Sequence, residues 1–149
     1  MEQSHAYWEP RPDRWPEAKH GFEAALLDDG FDRLIAVIGE PGSLKDITER
    51  LIKALNAMPW LPILITRSVY FSEELRTHFM ARHAPRLVGA LRKAAPRKKG
   101  IDPAFAALSI LSMLMFPQIA RPVVGKVFGV NFDDAFARAF SAHIETMFS

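Results

Sequence analysis

Histidine is the side chain best able to move a proton or hold a metal near neutral pH, and this chain has five: His5, His20, His78, His83 and His143. Only His78 and His83 lie close in sequence, and a separation of five is poor geometry for two ligands on one helix face. Glu74 and His78 are four apart, but a pair is not a metal site. No metal and no cofactor are therefore expected. Gly39-Glu40-Pro41-Gly42-Ser43 is glycine-rich but lacks the Gly-Lys-Ser/Thr of a phosphate loop. There is no Gly-x-Ser-x-Gly elbow and no assignable Ser/His/Asp set. With no cysteine, thiolate chemistry and a disulfide framework are excluded. The chain does not read as an enzyme.

The totals fit a folded body. The 149 residues are 49% hydrophobic and 24% charged, the usual globular balance and enough for one domain with a core. A net charge of +2 is too small to imply a polyanion partner. Arg82, Arg86, Arg92, Lys93, Arg97, Lys98 and Lys99 make one region basic, but no aromatics are interleaved with them, so they read as a solvated face. The opening MEQSHAYWEP has no basic segment followed by an apolar core, so no signal peptide is read there. The expected location is cytoplasmic.

Residues 1–18 carry Trp8, Pro10, Pro12, Trp15 and Pro16 among charges and read as an irregular arm. From Phe22 the pattern is helical, through Leu26, Leu34, Ile35 and Ile38 to Gly39. Ser43 and Asp46 cap a second helix whose buried stripe is Leu44, Ile47, Leu51, Leu55 and Met58. A third helix is expected from about Ile63 into Phe71. A fourth starts near Glu73, carries Leu75, Phe79, Leu87 and Leu91, and should kink or break at Pro85. Asp102 caps a fifth, which Pro117 and Pro122 should bend or segment before Gly129 ends it. Asn131 is expected to cap the last helix, with Asp133 and Asp134 in its first turn. No strand alternation occurs, so the fold class is all-α: a bundle of about six helices with short connections.

The stretch SILSMLMFPQIARP, Ser109 to Pro122, is apolar on every side, and there is no charge from Ala104 to Arg121. It is a few residues short of the roughly 20 that span a bilayer and contains Ser109, Ser112, Pro117 and Gln118, so no membrane association is expected. A helix that is apolar all round must be covered all round. One answer is a deep central helix in a monomer. The reading preferred here is a homodimer, in which the last two helices of two copies form a four-helix bundle about a two-fold axis. The expected interface is Phe105, Leu108, Leu111, Met115, Phe132, Phe136, Phe140, Ile144 and Met147.

DPAFAALSILSMLMFPQIARPVVGKVFGVNFDDAFARAFSAHIETMFS resembles the C-terminal end of TetR-family transcriptional regulators, with an Asp-Pro start, an apolar helix ending in Phe-Pro, an Ala-Arg-Pro, a Phe-Gly turn and a last helix with spaced phenylalanines and a His. MPWLPILITRSVYFSEELRTHFMARHAPRLVGAL resembles the middle of the same domain. KHGFEAALLDDGFDRLIAVI resembles the join that follows the family's DNA-binding head. The likeness spans residues 19–149. Only 18 residues precede Lys19, too few and too proline-rich for a three-helix head with a recognition helix. The resemblance thus implies the effector-binding and dimerising half of a repressor without its DNA-reading half, and no direct DNA binding by this chain. A DNA effect, if any, would pass through a mixed dimer with a full-length relative.

In such regulators a small apolar or amphipathic effector enters a cavity between helices and shifts their packing. The walls implied here are Trp60, Leu64, Phe71, Phe79, Met80, Met113 and Phe116, with Arg67 and His143 as polar anchors. The alternatives are that these residues are plain core or paired surface in a dimeric interaction module that binds no ligand, or that the chain is a membrane-associated helical protein.

Overall fold

The computed structural model describes residues 15–149, with side chains from Gly21 onward. The chain there forms eight helices and no strand: α1 Trp15–Gly39, α2 Leu44–Ala57, α3 Trp60–Tyr70, α4 Glu73–Arg82, α5 Ala84–Ala94, α6 Pro103–Ile119, α7 Arg121–Phe128 and α8 Asp134–Met147. The all-α expectation holds. The count differs from six because two expected helices each divide. One breaks at His83, just before Pro85. The other breaks at Ala120, just before Pro122, and α7 leaves α6 at 87°. Both prolines lie in the first turn of the helix they open, where a missing N–H costs nothing. Pro117 lies inside α6 without ending it.

Three helix starts differ from expectation for the same kind of reason. Helix α1 already runs at Trp15, with Pro16 in its first turn, so the irregular arm does not extend to residue 18. The rest of that arm lies outside the described residues. Helix α3 starts at Trp60 with Pro62 in its first turn. The last helix is capped by Asp133, whose carboxylate accepts the Phe136 N–H at 2.9 Å, and not by Asn131. The other caps form as read. Ser43 accepts the Asp46 N–H at 3.2 Å and its own N–H donates to the Asp46 carboxylate at 3.1 Å, closing a capping box. Asp102 accepts the Ala104 N–H at 2.7 Å. Gly129 ends α7 at φ 64°, a left-handed conformation that a Cβ would strain.

The core is one cluster. Helix α1 contributes Leu27, Phe31, Leu34 and Ile38, α2 contributes Ile47, Leu51, Ile52 and Leu55, and α6 contributes Ala106, Ala107, Ile110 and Leu114. Each large side chain so buried is worth about 1.5–3 kcal/mol. Helix α2 is the central beam: α8 packs along it, and α1 and α6 lie against it as well. Gly30 lets α1 approach α3, since a Cβ there would sit 2.7 Å from the Leu61 side chain.

Polar ties fix the ends of the beam. The Lys45 N–H, in the first turn of α2, donates to the Glu145 carboxylate of α8 at 3.0 Å. At the other end the buried Gln118 donates to Asn56 Oδ1 at 3.0 Å and accepts from the Arg121 guanidinium. Arg121 also lies over the Phe132 ring, 4.8 Å from its centre. The arginine that ends the charge-free stretch therefore holds the α6–α7 elbow onto α2 and the segment before α8.

Candidate functional site

Six helices, α1 to α6, leave a gap where their buried stripes converge. The gap is a cavity of about 360 Å³. Phe31, Leu34 and Ile38 line it from α1, Leu51 and Leu55 from α2, Ile65 and Val69 from α3, Phe79 from α4, Leu87 and Leu91 from α5, and Leu111, Leu114 and Met115 from α6. None of the lining residues is charged. The Thr66 and Ser112 hydroxyls in its wall turn back onto their own helices, donating to Pro62 O at 2.9 Å and Leu108 O at 2.8 Å. The surface offered is almost wholly apolar, which selects an apolar guest over a polar one.

Of the walls implied by the sequence, Phe79 lines this cavity. The others do not. Phe71, Met80 and Phe116 are exposed large side chains, and Met113 packs against the core. Trp60, Leu64 and Arg67 line a more open groove between α1 and α3 instead, together with Phe22 and Ile63. Arg67 is tied there to the buried Glu23 carboxylate at 2.9 Å, so it anchors α3 to α1 and does not reach the cavity. His143 is exposed on α8 with its ring stacked on Phe140 at 6.1 Å. The wall residues Leu34, Ile38, Leu51, Leu55, Leu87 and Leu91 read from the sequence simply as buried stripes. Periodicity shows which side of a helix is covered, not where neighbouring helices fail to meet.

The expected interface also divides. Phe105, Leu108 and Met147 are exposed. Leu111 and Met115 are cavity wall, and Ile144 is fully buried in the chain's own core, against α2. Helix α8 buries Ala137, Ser141 and Ile144 there, while Phe132, Phe136 and Phe140 stack in a half-buried ladder with centroid spacings of 5.0 and 5.3 Å. Helix α6 shows a clear division of faces. Ala106, Ala107, Ile110, Leu114 and Gln118 point inward, Phe105, Leu108 and Phe116 form an uncovered apolar stripe at helical spacing, and Ile119 is part exposed while also lining the cavity.

The structure brings together three titratable groups that the sequence kept apart. Asp28 Oδ1 lies 2.8 Å from His78 Nε2 and 2.6 Å from His83 Nε2. Arg82 Nε stands 3.4 Å from the same oxygen. A separation of five keeps two side chains off one face only while the helix is unbroken. The chain turns at His83, where α4 ends and α5 begins, and that turn swings the His83 ring onto the face that carries His78. The break at Pro85 was the available signal, and Asp28, fifty residues upstream, had none. The His83 side chain is wholly buried and stacks on Phe31, with centroids 4.8 Å apart, and its Nδ1 has no hydrogen-bond partner among the described residues. Burial pulls the His83 pKa below its ordinary value against the opposing pull of the Asp28 hydrogen bond. Burial raises the Asp28 carboxyl, but hydrogen bonds from both imidazoles, with the charges of His78 and Arg82, outweigh it and hold the group below the usual carboxylate value. An ionised carboxylate only accepts, so both Nε2 atoms donate to it.

Comparison with family models, curated proteins and solved structures gave no match. Among the described residues no single helix is long and apolar enough to cross a membrane; α6 and α7 reach the length only as a pair bent by 87°.

Proposed function

We propose that this chain is an effector-binding and homodimerisation domain of the TetR-regulator kind, and not an enzyme. The observation that supports this reading is the double use of α6. Its inner side, through Leu111, Leu114 and Met115, walls the apolar cavity. Its outer side carries the uncovered stripe of Phe105, Leu108 and Phe116. A guest that fills the cavity must move or brace α6, and a helix braced on the inside presents a different outer face to a second copy. Ligand occupancy and the geometry of a dimer are then linked, as a ligand-sensing regulator requires. In a TetR-type protein that geometry would be read out by paired DNA-binding heads.

Two measurements test this. Sedimentation equilibrium should give a dimer at micromolar concentration. Thermal unfolding with decanol and naphthalene should show a raised Tm for the natural chain and none for Leu111→Trp, which fills the cavity. A monomer at all concentrations would remove the dimer from the reading. A Tm unmoved by any apolar probe would leave a solid interaction module in place of a sensor.

A further inference from the structure

We infer that Asp28, His78 and His83 form a binding site for one divalent transition-metal ion. The three donor atoms, Oδ1 and two Nε2, all lie within 4.8 Å of one another. They come from three places in the chain: α1, α4 and the turn between α4 and α5. That convergence is what local hydrogen bonding along one helix cannot produce. Metal–ligand bonds of about 2.1 Å place neighbouring donors about 3.0–3.4 Å apart. The Asp28–His78 and Asp28–His83 separations of 2.8 and 2.6 Å therefore need to open by about half an ångström to admit an ion, and the two Nε2 atoms, which lie within 4.8 Å of each other, need to settle to the same spacing, shifts that rotation of the partly exposed Asp28 and His78 side chains supplies.

The donor set decides the class of ion. Two imidazoles and one carboxylate suit Zn²⁺, Ni²⁺, Co²⁺ or Fe²⁺, whereas Mg²⁺ and Ca²⁺ take oxygen ligands. Three protein ligands leave at least one position open. His83 closes the inner side of the site, being wholly buried, and Asp28 and His78 are each about a quarter to a third exposed, so the open position faces solvent. The buried ring is also the best-placed ligand, because its stack on Phe31 fixes its plane. Arg82 stands 3.4 Å from Asp28, and at 59% exposure it is free to swing into water when the ion enters.

The test uses the full chain, dialysed against chelator and titrated with Zn²⁺, Ni²⁺ or Co²⁺ alone, and with Mg²⁺ and Ca²⁺ for comparison. Calorimetry should give one equivalent bound for the transition metals and none for Mg²⁺ or Ca²⁺. Bound Co²⁺ should acquire a ligand-field absorption that free Co²⁺ lacks. His78→Ala, at a partly exposed position, should keep the helical circular dichroism and lose at least about 100-fold in affinity, beyond what loss of an outer-shell partner costs. His143→Ala should bind as the natural chain does. Binding that survives His78→Ala, or no saturable binding by any of the three ions, overturns the inference and leaves the triad as a hydrogen-bonded tie between helices. The readout does not depend on whether the apolar cavity takes a guest.

Discussion

The ring of Phe31 lies over that of His83, 4.8 Å between centroids and 16° between planes, and the same phenylalanine lines the apolar cavity. One side chain thus separates the polar triad from the apolar gap. It also meets Phe79, another cavity residue, edge-on at 5.3 Å. Phe31 is 1% exposed, so its loss has two costs: apolar area returned to water and a void beside an existing cavity. Phe31→Ala is expected to destabilise the fold by about 3–5 kcal/mol, and Phe31→Leu by markedly less. Urea unfolding of the two variants checks this. Equal effects would mean that the ring's shape is not what the site uses.

Arg121 is expected to be structural although it ends the most apolar stretch of the chain. It donates to the buried Gln118, which donates in turn to Asn56. Arg121→Ala leaves the Gln118 acceptor unpaired inside the fold, at a cost of about 1–3 kcal/mol. Arg121→Lys should recover only part of this, since an ammonium lacks the planar guanidinium that lies over Phe132. Denaturant midpoints for the two variants are the check. An unchanged midpoint in Arg121→Ala would show the elbow to be held by packing alone.

The division between what the residues announce and what they conceal follows from range. Helix bodies and most caps are local, so Ser43, Asp102 and Gly129 could be placed from their neighbours alone. The prolines were readable as breaks, but the direction taken after a break depends on packing, and both His83 and the α6–α7 elbow turn on that direction. The cavity is a property of six helices at once. The conspicuous aromatics Phe71 and Phe116 lie on the surface and not in its wall. Asn131 and Asp133 were both competent caps by residue type, and two positions of register separated them. Ile144 fits both a core stripe and an interface stripe, and only the position of α2 decides for the core.

Acid should weaken the start of α2. The backbone hydrogen bond from Ser43 comes first, with the Ser43 side chain next, in holding the Asp46 carboxyl below its ordinary 3.8. A carboxyl depressed on folding binds its proton more readily in the unfolded chain. Its contribution is therefore complete above pH 3.8 and is lost as pH falls through the lower folded value. The natural chain is expected to exceed Asp46→Ala in urea midpoint at neutral pH, with the difference shrinking as the solution is acidified below 3.8. A difference that stays constant through that range would place the effect of Asp46 in helix propensity and not in its charge.

The outer stripe of α6 gives the sharpest test of self-association. Phe116 is 64% exposed and lies on the same face as Phe105 and Leu108, whereas Leu114, two residues earlier, is core. A glutamate at position 116 therefore meets water in the single chain and costs the fold little. In a dimer built on this face it becomes a buried, unpaired charge. Phe116→Glu is expected to keep the urea midpoint measured at low protein concentration. It should raise the dimer dissociation constant by at least about 30-fold, the equivalent of about 2 kcal/mol. Met80→Glu is the comparison, because Met80 is also exposed, at 58%, but lies on α4 and not on α6. If sedimentation shows Phe116→Glu and Met80→Glu associating alike, the α6 stripe does not meet a second copy, and the link between cavity and dimer loses its outer half.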